Sequence, residues 1–273
     1  LKSSRNLVFL RFSSLGDVAI SIPLIRCVLS SYPKINITFV TKKTFIPLFD
    51  EFKNLDILEL DSSGRHSGFN GLLTLYSDIK KLDPIGIVDL HGSLRTNFLK
   101  FFFFFSSIRY KKIHKGRIEK RLLTRKKNKV LVPLTPTIHR YSDVLRKIGF
   151  PVDLSDHEFP LKPITPKKFN NSFFNSKLKW IGIAPFAKHL GKIYPLDLTQ
   201  KVISFLQIEN QVFLFGADGD EANQLEVWER AYSNVYSLAG KFSLSDEIKI
   251  ISNLDLMISM DSANGHIATN YNI

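Results

Sequence analysis

Short apolar runs bounded by turn residues alternate along this chain with longer stretches whose apolar positions recur at helical spacing. That is the pattern of βα units stacked into a parallel sheet. In the first half it predicts strands at Leu7–Leu10, Ile35–Val40, Ile57–Leu60 and Ile85–Asp89, and helices at Val18–Ser31, Thr44–Asp50, Leu72–Leu82 and Ser93–Phe103. Gly64–Gly71, with Arg65, His66 and Ser67, reads as an exposed loop able to move over a site. After a helix at Ile138–Ile148, the stretch Gly149–Pro166 carries Pro151, Pro160, Pro163 and Pro166 and little periodicity, so it reads as an interdomain linker. The alternation then restarts. Strands are predicted at Trp180–Ala184, Gln211–Phe215, Val235–Leu238 and Leu254–Ser259, with helices at Leu196–Gln207, Gly219–Ala231 and Ser243–Ile251. Two successive α/β domains follow, residues 1–160 and 161–273. The last motif, Ile258–His266, is another strand, turn and helix opening, with only seven residues after it, so the second sheet is expected to be incomplete. A start at Leu1 instead of Met likewise suggests missing residues at the front.

A chain of 273 residues with 44% hydrophobic content can bury a large core. Its single cysteine, Cys27, rules out an intramolecular disulfide and a cysteine-based zinc cage, and points to a reducing compartment. The longest apolar block, Phe98–Phe105, contains Lys100 and is far shorter than the roughly 20 residues that span a bilayer. The outlier is a formal charge of +13, densest between Arg109 and Lys129, where Glu119 is the only acid. Such a run calls for an anionic partner, either nucleic acid, an acidic membrane surface or a phosphorylated small molecule, or else is a solvated face. Apart from Tyr110, aromatic residues are not interleaved with these charges as a base-stacking platform requires, which argues against nucleic acid.

Chemistry-bearing residues recur where strands end. Arg11-Phe12-Ser13-Ser14-Leu15-Gly16-Asp17 follows the first strand as a small-residue turn that opens a helix. Ligands of open α/β sheets bind beyond the carboxyl ends of strands, so Asp17 can serve as general base, unless Ser14 or Asp17 is only a helix cap. Asp89-Leu90-His91-Gly92-Ser93-Leu94-Arg95 closes the fourth strand, and Arg95 can hold an anionic acceptor. In Pro185–Pro195, Lys188 and Lys192 can neutralise a departing phosphate, the alternative being ordinary loop lysines. At Asp261–His266 the N–H groups of Ser262, Ala263 and Asn264 suit a diphosphate at a helix start. There is no Walker loop and no G-x-G-x-x-G fingerprint after a strand, which argues against kinases and dehydrogenases. His91 and His266 lack the partner carboxylates that a metal site needs.

Five motifs, RFSSLGDVAISIP, VDLHGSLR, GIAPFA with KHLGKIYP, FGADGDE and MDSANGHIA, occur in one order over the whole chain. Together they resemble glycosyltransferase family 9, the heptosyltransferases of lipopolysaccharide core assembly. The resemblance implies the GT-B architecture, two Rossmann-like domains facing a cleft, with the acceptor on the first and an ADP-activated heptose on the second. It makes Asp17 the catalytic base of an inverting, metal-independent transfer and Lys192 the group that stabilises the leaving diphosphate. Asp261 would contact the donor sugar, with Lys188, Ser262, Ala263, Asn264, Gly265 and His266 around the phosphates and Gly216, Asp218 and Glu221 at the nucleoside. Ser13, Ser14, Gly16, His91 and Arg95 would line the acceptor. The family usually has glycine directly after its Asp-Thr/Ser pair, whereas here Ala263 and Asn264 precede Gly265. The implied protein needs no cofactor beyond the nucleotide sugar, binds no nucleic acid, and works at the cytoplasmic face of the inner membrane on an anionic, lipid-linked saccharide. A transferase with another nucleotide sugar, or a non-catalytic nucleotide- or polyanion-binding protein, are the alternative readings.

Overall fold

The computed structural model describes residues 5–164 and 177–273, so the end of the expected linker lies outside the described residues. These residues form two compact units, one up to Glu158 and one from Phe159.

The first unit is a five-stranded sheet, entirely parallel, in the order β3-β2-β1-β4-β5. Its strands are β1 (Arg5–Leu10), β2 (Ile35–Thr41), β3 (Leu55–Glu59), β4 (Gly86–Asp89) and β5 (Arg109–Lys112). The order reverses between β1 and β4, which opens a crevice beyond their carboxyl ends. Leu7 to Leu10 are completely buried, as expected for a central strand covered on both faces. Val8, Leu10 and Phe12 pack toward Leu72, Leu75 and Ile79 of α3 (Gly68–Lys81) and Leu99 of α4 (Leu94–Phe102). Phe9 lies on the opposite face with Phe39, ring centroids 6.2 Å apart. Burial of each such side chain contributes about 1.5–3 kcal/mol.

The second unit repeats the plan with β6 (Lys179–Ala184), β7 (Asn210–Leu214), β8 (Val235–Ser237) and β9 (Leu256–Ser259), all parallel in the order β8-β7-β6-β9. Its switch point falls between β6 and β9. Trp228 of α8 (Asp220–Ala231) fills its core with Ile183, Leu214 and Ile203 of α7 (Leu196–Leu206), and α9 (Leu244–Ile251) precedes β9.

Two expectations are corrected. The helix expected over Val18–Ser31 is two, α1 (Leu15–Ala19) and α2 (Ile22–Ser31), because Pro23 has no N–H to give to Ala19 and its ring disfavours helix before it. Gly64–Gly71 is not an exposed loop throughout. The Asp61 carboxylate accepts from the Gly64 and Arg65 amides at 2.8 and 2.9 Å, His66 is buried against Asp78, and α3 already begins at Gly68. The basic segment, to which the sequence reading assigned no element, contains edge strand β5 and helix α5 (Arg117–Thr124), followed by α6 (Thr137–Ile148), which packs on β4 and β5.

Candidate active site

In the first unit the site is built at the β1/β4 switch point. Arg11, one residue past β1, is 7% exposed, and its Nη1 donates to the Leu90 carbonyl at 2.7 Å, tying the two strand ends together. Its Nη2 pairs with Oδ2 of Asp17. The same oxygen accepts from the Ser14 hydroxyl at 2.8 Å and the Ser14 amide at 3.2 Å. Asp17 is thus both the third helical residue that closes a capping box on Ser14 and a carboxylate in the crevice. All three contacts fall on Oδ2, and Oδ1 accepts no hydrogen bond among the described residues. Burial works to raise the Asp17 pKa, but Arg11 and the two Ser14 donors outweigh it and hold the carboxyl below its ordinary value. At neutral pH Asp17 is therefore ionised and oriented, with one oxygen open.

Asp89, wholly buried at the end of β4, accepts from the amides of His91 (2.9 Å) and Gly92 (2.8 Å) and from the Tyr110 hydroxyl (3.2 Å). It shapes the loop that presents His91. Gly92 is left-handed (φ +54°), and a Cβ there would lie 2.9 Å from Ile113, so this turn needs glycine. The His91 ring packs on Phe12 with centroids 4.8 Å apart, and its Nδ1 is buried without a hydrogen-bond partner. Burial, then the positive charges of Arg11 and Lys115, push its pKa down to about 4. His91 should accordingly stay neutral through the physiological range. An NMR titration of its ring is expected to show no protonation above about pH 5, and a midpoint near the ordinary 6.5 would contradict this reading of the crevice.

Arg95 stands in the first turn of α4, and Ser13 and Gly16 flank the Asp17 turn half-buried. The loop after β4 contributes Gly92 to a pocket of about 290 Å³ that is also lined by Asn97, Lys112, Lys115 and Arg117. Sequence reasoning gave Arg11 no role and treated the lysines only as part of a charge run. The available signal was an arginine directly after a fully apolar strand, where a buried cation must find a partner.

In the second unit the corresponding switch point brings together the loop after β6 and the turn after β9. Lys192, ending a 3-10 turn over Leu190–Lys192, pairs with Asp261, and both side chains are about half exposed (52%). The Tyr194 amide, 3.3 Å from the Met260 sulfur, holds the two segments together. Ser262 is the N-cap of α10 (Ala263–Thr269), and its hydroxyl is buried without a partner. The displaced glycine has a packing reason, since a Cβ on Gly265 would sit 2.2 Å from the Ser259 hydroxyl. His266 lies on α10, half-buried, and Lys188 is exposed in the β6 loop. At the end of β7, Glu221 accepts from the Ala217 amide at 2.7 Å, and Asp218 approaches Gly240, where a Cβ would lie 2.9 Å from its carboxylate. Gly216, Asp218 and Glu221 therefore share one turn. Among the described residues no three His, Cys, Asp or Glu side chains group as metal ligands would.

Two Rossmann-like units in one chain, each with its polar side chains at the switch point, make this an enzyme fold of the GT-B glycosyltransferase type. The model of the family described as glycosyltransferase family 9 (heptosyltransferase) matches residues 87–272, and the chain belongs to that family. It is 22% identical over 279 residues to the lipopolysaccharide core heptosyltransferase OpsX of Haemophilus influenzae, covering 98% of this chain and 77% of OpsX. Among solved structures, a family 9 glycosyltransferase from Veillonella parvula superposes with a TM-score of 0.77 at 17% identity, covering 99% of this chain and 80% of the other. The E. coli heptosyltransferase WaaC with ADP-2-deoxy-2-fluoro heptose gives a TM-score of 0.69 at 12% identity, covering 98% and 86%.

Proposed function

We propose that this glycosyltransferase moves a heptose from ADP-heptose to a lipopolysaccharide inner-core acceptor by a metal-independent, inverting displacement. The observation that carries the reading is Asp17, an ionised carboxylate fixed through one oxygen and open at the other. Oδ1 accepts the proton of the acceptor hydroxyl while that oxygen bonds to the anomeric carbon of the donor. The bond from that carbon to the diphosphate breaks, and its electron pair leaves on the nucleotide. Lys192 neutralises the developing charge, with the Ser262 hydroxyl and the start of α10 beside it. Asp261 contacts the sugar, and the turn of Gly216, Asp218 and Glu221 faces the nucleoside. Acidic groups of the acceptor suit Lys112, Lys115, Arg117 and Arg95. OpsX, by its name, works on the lipopolysaccharide core, and WaaC has been solved with an ADP-heptose analogue, which supports the choice of substrates. The Arg109–Lys129 segment draws the protein to the acidic cytoplasmic face of the inner membrane, an attraction that salt weakens.

A thermal-shift screen with ADP-, UDP- and GDP-sugars tests the donor. A ligand at about 100 times its Kd adds roughly 2.7 kcal/mol to folding stability, a shift of several degrees. ADP-heptose is expected to give that shift and ADP-glucose less. An equal or larger shift with UDP- or GDP-sugars moves the protein to another donor, and binding without transfer to any acceptor makes it a nucleotide-binding protein.

A further inference from the structure

Helix α4 is apolar on its outer side. Leu94, Phe98 and Phe101, with Phe105 just beyond its end, stand at i, i+4, i+7 and i+11 and are 72%, 44%, 63% and 83% exposed, whereas Thr96, Leu99 and Phe103 carry the buried face. Phe104 is exposed as well, and Phe69 of α3 extends the surface through a ring contact with Phe102. Phe98, Phe101, Phe104 (75% exposed) and Phe105 together present on the order of 500 Å² of ring surface, a size at which an apolar patch on a monomer commonly has a function.

The charges beside the ridge identify its occupant. Lys112 donates to Asn97 of α4 at 2.6 Å, which brings the basic edge strand against the helix that carries the ridge. Exposed Ile118 of α5 lines the same pocket as Asn97, with Lys120 and Arg121 following it in a helix that has no buried residue. An aromatic ridge flanked by lysine and arginine matches an anionic bilayer, with acyl chains for the rings and headgroup phosphates for the cations. A protein partner with an apolar face would leave those cations uncompensated.

We propose that the Phe98–Phe105 ridge inserts into the headgroup and acyl boundary of an anionic membrane and supplies a second anchoring signal beside the basic segment. This rests on the peripheral-membrane part of the reading above. Stable anchoring generally requires two signals, and a charge run alone is released by salt. The placement also serves the site, because α4 begins at Ser93–Arg95 beside the crevice and rises about 1.5 Å per residue, so its nine residues hold Arg95 within roughly 15 Å of the inserted end. A lipid-linked acceptor would then reach the crevice without leaving the bilayer.

The test is flotation of the full chain with vesicles of phosphatidylethanolamine and phosphatidylglycerol at 50 and 500 mM salt. Wild type should bind at both salts, more weakly at the higher. The double substitution Phe101→Asp, Phe105→Asp should lower partitioning at least 10-fold at both salts with an unchanged melting temperature, since both side chains are exposed. Phe105→Trp should be quenched by brominated acyl chains. Lys120→Glu with Arg121→Glu reports separately on the electrostatic attraction and should lose mainly the low-salt binding. If the phenylalanine variant floats like wild type, or the tryptophan is not quenched, the ridge proposal is overturned even where the charge variant shows that the basic segment binds. If wild type instead forms dimers that the phenylalanine variant dissolves, and no vesicles bind, the ridge is a self-association surface and the proposal is equally overturned.

Discussion

Asp17→Asn is expected to lower kcat by about 10²–10⁴-fold, the range a positioned general base supplies, while KM for the donor stays near wild type. Asparagine keeps the shape and can still accept from Arg11 and Ser14 through its oxygen, so the turn and its capping box should survive, and the melting temperature checks that they do. What it cannot do is take a proton. The donor is assigned to the other unit, which is why its KM is the control. The depressed pKa gives this prediction a companion with a definite sign. Because Arg11 helps hold Asp17 below the ordinary carboxylate value, the acid limb of the wild-type rate profile should lie below the usual carboxylate range. Arg11→Gln removes that charge, so the Asp17 pKa should rise and the acid limb should move to higher pH. A limb that stays in place would mean that another group sets it.

The second large effect is expected at Lys192. Replacement by methionine keeps the aliphatic stem and removes the charge that meets the leaving diphosphate. A loss of roughly 10²–10³-fold in kcat is expected, the cost of deleting one preorganised electrostatic donor, with weaker donor binding as well. The ion pair with Asp261 sharpens this expectation. Lys192→Met also removes the cation that meets the Asp261 carboxylate beside the diphosphate, so the loss should exceed that of Lys188→Met, whose side chain stands exposed in the loop. In Asp261→Asn the lysine is released from its partner, and affinity for free ADP should hold or rise even as transfer falls. Isothermal titration with ADP separates these outcomes, and a Lys192→Met protein that turns over like wild type would remove the lysine from the mechanism.

The alternation of apolar runs and helical stretches carried the class of fold, because buried central strands such as Leu7–Leu10 and Phe213–Leu214 have no polar positions to blur them. It carried the site partly for the same reason, since a strand end followed by small residues and a carboxylate is visible wherever the strand is. Strand order was not visible, because it depends on pairings between distant segments. The structure adds that the expected motifs sit at two switch points, β1/β4 and β6/β9. Edge strand β5 escaped notice because Arg109, Lys111 and Lys112 read as a solvated charge run, although Tyr110 reaches inward to Asp89. The break at Pro23 was legible from the chemistry of proline and was overridden by the apolar spacing on either side of it. Arg11 was hidden for a different reason. A buried arginine has meaning only through its partners, and the Leu90 carbonyl that holds it is 79 residues away. At Asp17 a helix cap does not preclude the proposed base, since the capping box uses Oδ2 and leaves Oδ1 without a hydrogen bond among the described residues.

The proposed reaction is a single displacement at the anomeric carbon, with Asp17 as base toward the acceptor and Lys192 toward the departing nucleotide. The configuration of the new glycosidic bond tests it most directly, read by the one-bond carbon–proton coupling at the anomeric position of the product formed from ADP-heptose. A configuration opposite to that of the donor is expected, and a product that retains the donor's configuration would rule out the single displacement.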